Sequence, residues 1–271
     1  MSTAVVRVRV PERTWRNELR AIKIVWSREW IRFKKDRMRI VTSLVQPLLF
    51  LFALGAGLDS VVGGDVDLTT FIYPGILCMS VMFTAVFSAA SIIWDREFGF
   101  LREMLVAPVR RSSIVIGKCL GGATVASIQG VILIVFAPLV DVSYSLGLVL
   151  GAFGLMLLLA FAMTAFGLMV AARIKQMQSF MSVSQMIVMP MFFISGALFP
   201  VANLPGWLAF LNRLDPVTYA VDPMRKLVLG EGTPGVTWFG WAVPTGLEIV
   251  MIAVLGAAML GIAIWQFSAP E

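Results

Sequence analysis

DREFGFLREMLVAPVRR, Asp95 to Arg111, places charges of both signs between two runs, 71–93 and 113–139, that are too apolar for loops or soluble surface. A polar segment so flanked divides the chain into membrane helices joined by a loop, and that reading decides the fold class. Composition agrees with it: 59% of the 271 residues are hydrophobic and 14% charged, with a mean hydropathy of +0.88. Soluble domains do not reach these values, whereas polytopic membrane proteins do.

Crossing a hydrocarbon core of about 30 Å takes about 20 apolar residues. Six segments meet that length, at about 40–58, 71–93, 113–139, 145–171, 179–200 and 246–267. An aspartate at mid-bilayer costs roughly 2.5 to 3.5 kcal/mol, against a gain of about 0.3 to 0.6 for each Leu, Ile, Phe or Val. Asp59, Asp65 and Asp67 are therefore expected to mark a loop. Met1 to Lys35 holds no long apolar stretch and no small-residue cleavage site, so the first span is expected to stay as an anchor.

Orientation follows from Lys and Arg. Twelve of the 22 lie between Arg7 and Arg39, five between Arg96 and Lys118, and Arg173 with Lys175 form a third basic loop. The loops at 59–70 and 140–144 carry none. The positive-inside rule puts both termini and the loops at 94–112 and 172–178 in the cytosol. The net charge of +6 is then a topology signal and gives no support to a nucleic-acid partner. Trp15 to Arg37 interleaves Trp15, Leu19, Ile22, Trp26, Trp30 and Phe33 with Arg16, Arg20, Lys23, Arg28, Arg32 and Lys34. That periodicity predicts an amphipathic helix lying on membrane lipid, with basic side chains toward anionic headgroups.

Several chemistries drop out. There is no histidine, which removes the commonest general base and metal ligand. Cys78 and Cys119 sit in apolar runs and read as small packing residues. No GxxxxGK[ST] loop exists, since Gly117-Lys118-Cys119 lacks both the upstream glycine and the hydroxyl that would bind magnesium. The chain is thus expected to bind no cofactor or metal, to have no catalytic residues and to be no enzyme by itself. Lys118 and Glu248 fall near span ends, where the expectation is that they snorkel to the interface.

In the opening segment, Asp95 is placed to cap a short helix with Phe98, Leu101 and Leu105 as its apolar stripe. Arg96, Glu97, Arg102 and Glu103 supply charge, and Pro108 ends it. Such a helix fits either a groove on a partner or the membrane interface.

This segment resembles the first cytosolic loop of the type 2 ABC exporter permeases, the family of bacterial drug, polysaccharide and lipid exporters. SGALFPVANLPGWLAFLNRLDPVTYAVDPMR, Ser195 to Arg225, is similar to that family's fifth-span exit, and Gln46-Pro47 to a weaker family feature. The resemblance implies a multi-pass permease of the bacterial plasma membrane, with an ABC-2 type transmembrane domain at 39–271 after a cytosolic tail and interfacial helix at 1–38. It implies an all-α polytopic membrane protein of six transmembrane helices, with a cytosolic coupling helix and extracellular re-entrant helices before the last span. The coupling helix would dock on a separate ABC ATPase subunit, with Asp95, Arg96, Glu97, Phe98, Gly99, Leu101, Arg102, Glu103 and Pro108 in that role. The working unit would contain two ATPase subunits, which bind the ATP and magnesium, and a second permease, identical or homologous. The cargo pathway would lie mainly between the second and fifth spans.

On those spans, Met177, Met181, Gln185 and Met189 form one stripe, and Phe83 and Phe87 another. Each is either a face for apolar cargo or a packing surface between helices. Gly117 with Gly121, and Gly122 with Ala126 and Gly130, read as small faces for close packing inside the bundle. The apolar segment 201–245 is expected to form short helices dipping into the outer leaflet. The leading reading is an exporter permease for a hydrophobic or amphipathic cargo such as a drug, lipid or glycoconjugate. The alternative is a membrane component that binds an ATPase without moving cargo. A passive channel would need polar rings that these spans lack.

Overall fold

The computed structural model describes residues 14–62, 68–99, 109–140, 142–201, 204–230, 235–238 and 240–268. Its helices in chain order are α1 Trp15–Lys35, α2 Arg37–Val62, α3 Leu68–Ser88, α4 Ala90–Glu97 and α5 Arg111–Ile134, followed by a 3-10 turn at Ala137–Val140. Next come α6 Leu146–Arg173, α7 Met177–Ile194, α8 Gly206–Leu214 and α9 Thr218–Leu229. A two-residue antiparallel hairpin, β1 Thr237–Trp238 with β2 Trp241–Ala242, pairs Trp238 with Trp241 and precedes α10 Thr245–Ser268. The apolar pattern of 201–245 does not predict that hairpin.

Among the described residues, five helices are long and apolar enough to span a membrane: Thr69–Glu97, α5, α6, α7 and α10. The first expected span belongs to a bent pair, Trp15–Lys35 with Ile40–Gly55, which turns by 73° and makes a sixth if counted as one span. The chain is therefore a multi-pass helical membrane protein. Helix α2 runs past Asp59 to Val62, so Asp59 belongs to the helix end and not to a loop; Asp65 and Asp67 lie outside the described residues.

Burial is uneven. The apolar stretch of the second span is 78% buried within the chain and that of α5 72%, whereas those of α7 and α10 are each 22% buried. The core thus centres on α3, α5 and α6, where Met82, Ala126, Met156, Leu159 and Met163 are fully enclosed. Small residues allow this closeness. A Cβ on Gly122 would strike Ser88 and Thr164, and one on Gly130 would strike Val81 and Met156. Gly117 and Gly121 serve the opposite side of α5, where added Cβ atoms would come within 2.8 Å of Val25 and 2.7 Å of Glu29 on α1. Both small faces pack internally, as expected.

Helix α1 packs along the first half of α5 through Glu18, Val25, Glu29 and Phe33, all buried. Trp15, Leu19, Ile24 and Ile31 stay exposed on its other side, available to lipid. The face turned to the bundle thus overlaps the edge of the aromatic stripe, through Phe33 and through Trp26, which donates to Thr124 Oγ1 at 3.0 Å, and it also carries two acids.

At the end of the bundle remote from α1, α7 stops at Ile194, short of the expected residue 200, and Gly196 takes φ 78°. The carbonyls freed there need donors. Asn212 Nδ2 donates to Ile194 O at 2.7 Å, and Arg225 donates to Gly196 O at 2.6 Å while stacking 4.2 Å over Phe71. Helix α9 is buried from Thr218 to Arg225, whereas Trp207, Phe210 and Trp241 are exposed. The expected short helices of 201–245 are α8 and α9.

Candidate functional site

The second span is two helices joined at Ala89, where 3-10 type bonds replace the α pattern: Ala89 N–H donates to Val86 O, and Ile92 N–H to Ala89 O. Gly167 of α6 fits against this joint, with Val86 O 2.7 Å from where its Cβ would be. Helix α4 then carries the chain to the opening segment and ends at Glu97. Gly99 N–H donates back to Arg96 O, and Gly99 holds φ 80°, the left-handed turn that glycine adopts at helix C-termini.

Asp95 is therefore not the cap of a new helix. It sits inside the last turn of α4 and is 1% exposed. Its carboxylate pairs with Arg28 of α1 through one oxygen and with Lys118 of α5 through the other, the second at 2.6 Å. Lys118 also pairs with Glu29 of α1 at 2.8 Å and donates to Ser91 Oγ at 2.9 Å. Two cations and two anions balance where isolated charges would be costly. Lys118 does not snorkel; it is 3% exposed and is held at the centre of this cluster. Arg32 of α1 adds a cation–π contact with Trp94, 5.1 Å to the ring. Farther back on α1, Glu18 accepts from Arg110 N–H at 3.1 Å and from Ser113 Oγ, fixing the start of α5.

The next two residues engage other helices. Arg96 Nη1 donates to Ile174 O at 3.0 Å, just past the end of α6, and Glu97 Oε1 accepts from Met177 N–H at 3.3 Å, at the start of α7. Both bonds satisfy helix-terminal groups that have no partner inside their own helix. Phe98 follows, 71% exposed. Of the nine expected docking residues, the structure thus ties Asp95, Arg96 and Glu97 into the bundle and leaves Phe98 and Gly99 at its tip. Leu101, Arg102, Glu103 and Pro108 lie outside the described residues.

The expected cargo residues fall on two surfaces. Phe83 and Phe87, stacked 6.1 Å apart, line a cleft of about 180 Å³ between α2 and α3 with Ser43, Gln46, Pro47, Met79, Ser80 and Thr84. Pro47 has no N–H to give Ser43 O, and Gln129 Nε2 supplies the missing donor at 3.0 Å. The same amide accepts from Thr84 Oγ1 at 2.8 Å, so it ties α5 to two residues of the cleft wall, Ser43 and Thr84. On α7, Phe180, Ser184, Val188 and Phe192 face inward, Met181 and Gln185 are exposed, and Met189 is half-buried. Residues of α7 do not line the α2–α3 cleft.

Arg28, Glu29 and Lys118 escaped the sequence reading as site residues. The signal present was Lys118, a lone cation within an apolar run, whose acids lie on a helix remote in sequence. Among the described residues no cluster of potential metal ligands forms, and both cysteines are free and buried.

A family model described as ABC-2 type transporter matches residues 20–229. Nodulation protein J of Rhizobium leguminosarum bv. trifolii is 32% identical over 212 residues, covering 76% of this chain and 80% of that protein. The putative transport permease ycf38 of Cyanophora paradoxa is 28% identical over 210 residues, covering 75% and 72%. The probable multidrug ABC transporter permease YbhR of Escherichia coli K12 is 26% identical over 179 residues, covering 64% and 48%.

Proposed function

Because this chain belongs to the ABC-2 type transporter family, it is a membrane-spanning subunit of an ABC transporter, and we propose that it is the permease of an exporter for hydrophobic or amphipathic cargo. Members of the family are membrane subunits without an ATPase site of their own and work with an ABC ATPase partner. The observation that carries the proposal is the tip of the second span. Phe98 is exposed at the end of a helix whose last three residues are fastened to α1, α5, α7 and the end of α6. A partner pressing there would act on the whole bundle.

In this reading the basic end faces the cytosol of a bacterium, in keeping with the positive-inside rule, and two ATPase subunits bind ATP and magnesium. A second permease, identical or homologous, would cover the open face of α7. Cargo would pass along surfaces bearing Met181, Gln185, Met189, Phe83 and Phe87. Flexible methionines and an uncharged cleft suit varied apolar molecules, and one relative is named as a probable multidrug permease.

The test is reconstitution of the chain with an ABC ATPase in proteoliposomes, followed by ATP-driven movement of a fluorescent lipid and of a lipophilic dye. Movement that requires both ATP and this chain is the expected result. Stable ATPase binding without movement of either probe favours a non-transporting membrane partner, and absence of ATPase binding overturns the proposal.

A further inference from the structure

We infer that the cleft between α2 and α3 and the groove beside it form one binding site for an uncharged amphiphile with a hydroxylated head, in which the Gln46 amide reads the head. The site stands on the geometry of these two helices, whether or not its occupant is cargo of the permease. Gln46 is exposed on a membrane helix, and among the described residues no hydrogen bond engages its side chain. An amide turned to hydrocarbon without a partner is costly. Its polar neighbours on α2 avoid that cost, since Thr42 donates to Met38 O and Ser43 to Ile40 O, each at 2.9 Å. Gln129, the other glutamine beside the cleft, is engaged at both ends of its amide by Ser43 O, Ser80 and Thr84.

Gln46 stands where two cavities meet, and of the residues lining them it alone belongs to both. On one side is the cleft of about 180 Å³, walled by the stacked Phe83 and Phe87. On the other is a groove of about 270 Å³ along α2, formed by Thr42, Val45, Leu49 and Phe50. The hydroxyls of the cleft are buried and half used. Ser80 Oγ accepts from Gln129 Nε2 at 3.2 Å and keeps its own O–H to give, while Thr84 Oγ1 donates to Gln129 Oε1 and keeps lone pairs to accept. With the Gln46 amide these match a head that both donates and accepts, such as the hydroxyls of a monoacylglycerol. No residue lining either cavity is charged, so an ionised head would enter low dielectric without a partner. The apolar groove takes the chain, and Gln46 meets the head where the chain begins.

The test places the full chain in phosphatidylcholine nanodiscs with three photoactivatable probes of equal chain length: a monoacylglycerol, an anionic lysophosphatidate and an alkyl trimethylammonium. Adducts are mapped by mass spectrometry. The monoacylglycerol is expected to label α2 and α3 around Gln46 at least about fivefold more than either charged probe. Gln46→Leu keeps the bulk and suits hydrocarbon, so it is expected to fold and to lose that preference. Gln46→Lys is expected to turn the preference toward the lysophosphatidate. Val45→Trp, which fills the groove, is expected to lower monoacylglycerol labelling about fivefold with Gln46 intact.

Equal labelling by the three probes overturns the inference, as does labelling that Gln46→Leu leaves unchanged. Disulfide formation between two copies of the Val45→Cys variant, in place of lipid labelling, assigns the groove to a second chain and overturns it too. Adding an ABC ATPase and ATP separates two sources of such an amphiphile. Labelling that falls on hydrolysis marks a transported molecule and labelling that does not marks a resident lipid, and the site stands in both cases. A chain that binds no ABC ATPase overturns the permease reading and leaves the labelling result in force.

Discussion

The two ends of the bundle both bury charge, and they do so on different terms. At the basic end, Arg28 and Lys118 meet Asp95 and Glu29, two cations for two anions. At the far end, Asp222 and Glu248, 2% and 0% exposed, share one cation, Lys226, at 2.9 and 3.3 Å. Val236 N–H supplies Asp222 with a further donor at 2.9 Å. Burial disfavours the Lys226 ammonium, but the two carboxylates outweigh that and hold its pKa above the ordinary lysine value. Nearby Asp215, bonded to Val217 N–H at 2.9 Å, is pushed up to about 8 by burial. The basic end is thus a charge-balanced cluster, whereas at the far end two buried carboxylates share the Lys226 ammonium, Arg225 also interacts with Asp222, and Asp215 makes the region answer to pH.

The largest effect that can break this contrast is at Lys118. Replacing it with Met leaves Asp95 and Glu29 to share Arg28, and loss of one partner from a buried pair costs about 3–5 kcal/mol. Thermal unfolding of purified protein should drop far more for Lys118→Met than for Lys118→Arg. Equal, small shifts would mean that the cluster does not depend on its charge balance.

A smaller effect is expected from pH at the far end. Asp215 has a folded pKa of about 8 against about 3.9 when unfolded, so the folded state binds its proton more tightly. The resulting stability is fully present below about pH 4 and is lost as pH rises through 8. Unfolding temperature should therefore fall between pH 5 and 8.5, and Asp215→Asn should flatten that slope. An unchanged slope in the variant would place the titrating group elsewhere.

The smallest effect sharpens the contrast most directly. Glu248→Gln leaves Asp222 and Lys226 as a matched pair, so its cost near neutral pH should stay under about 1 kcal/mol, well below that of unbalancing a buried pair. A loss as large as that of Lys118→Met would show the two ends to be equally dependent on their charges. Glu248, expected from sequence to snorkel, is instead fully buried and reached by Lys226 from α9.

Particular residues show how far the sequence could be read. The spans were legible because each apolar run is long and bounded by charge or turn residues, and the packing of Gly117, Gly121 and Gly130 followed from their spacing. The face of α1 was not legible. Its aromatic periodicity advertises lipid, yet the face bearing Glu18 and Glu29 packs against α5, where those acids have partners in Arg110, Ser113 and Lys118 and Trp26 bonds to Thr124. Nor could periodicity show that α4 ends at Glu97: the apolar pattern continues through Phe98, and only the backbone turn at Gly99, φ 80°, interrupts it.

What the sequence determined by itself is where this chain enters and leaves a membrane. Hydrocarbon thickness fixes the length of an apolar run and the cost of charge fixes its limits, and both are local quantities. Tertiary structure alone decided the fate of the charges near those limits. Whether Asp95, Lys118 and Glu248 face water or lie buried depends on whether an opposite charge arrives from a helix distant in sequence, and in low dielectric that pairing outweighs any local preference.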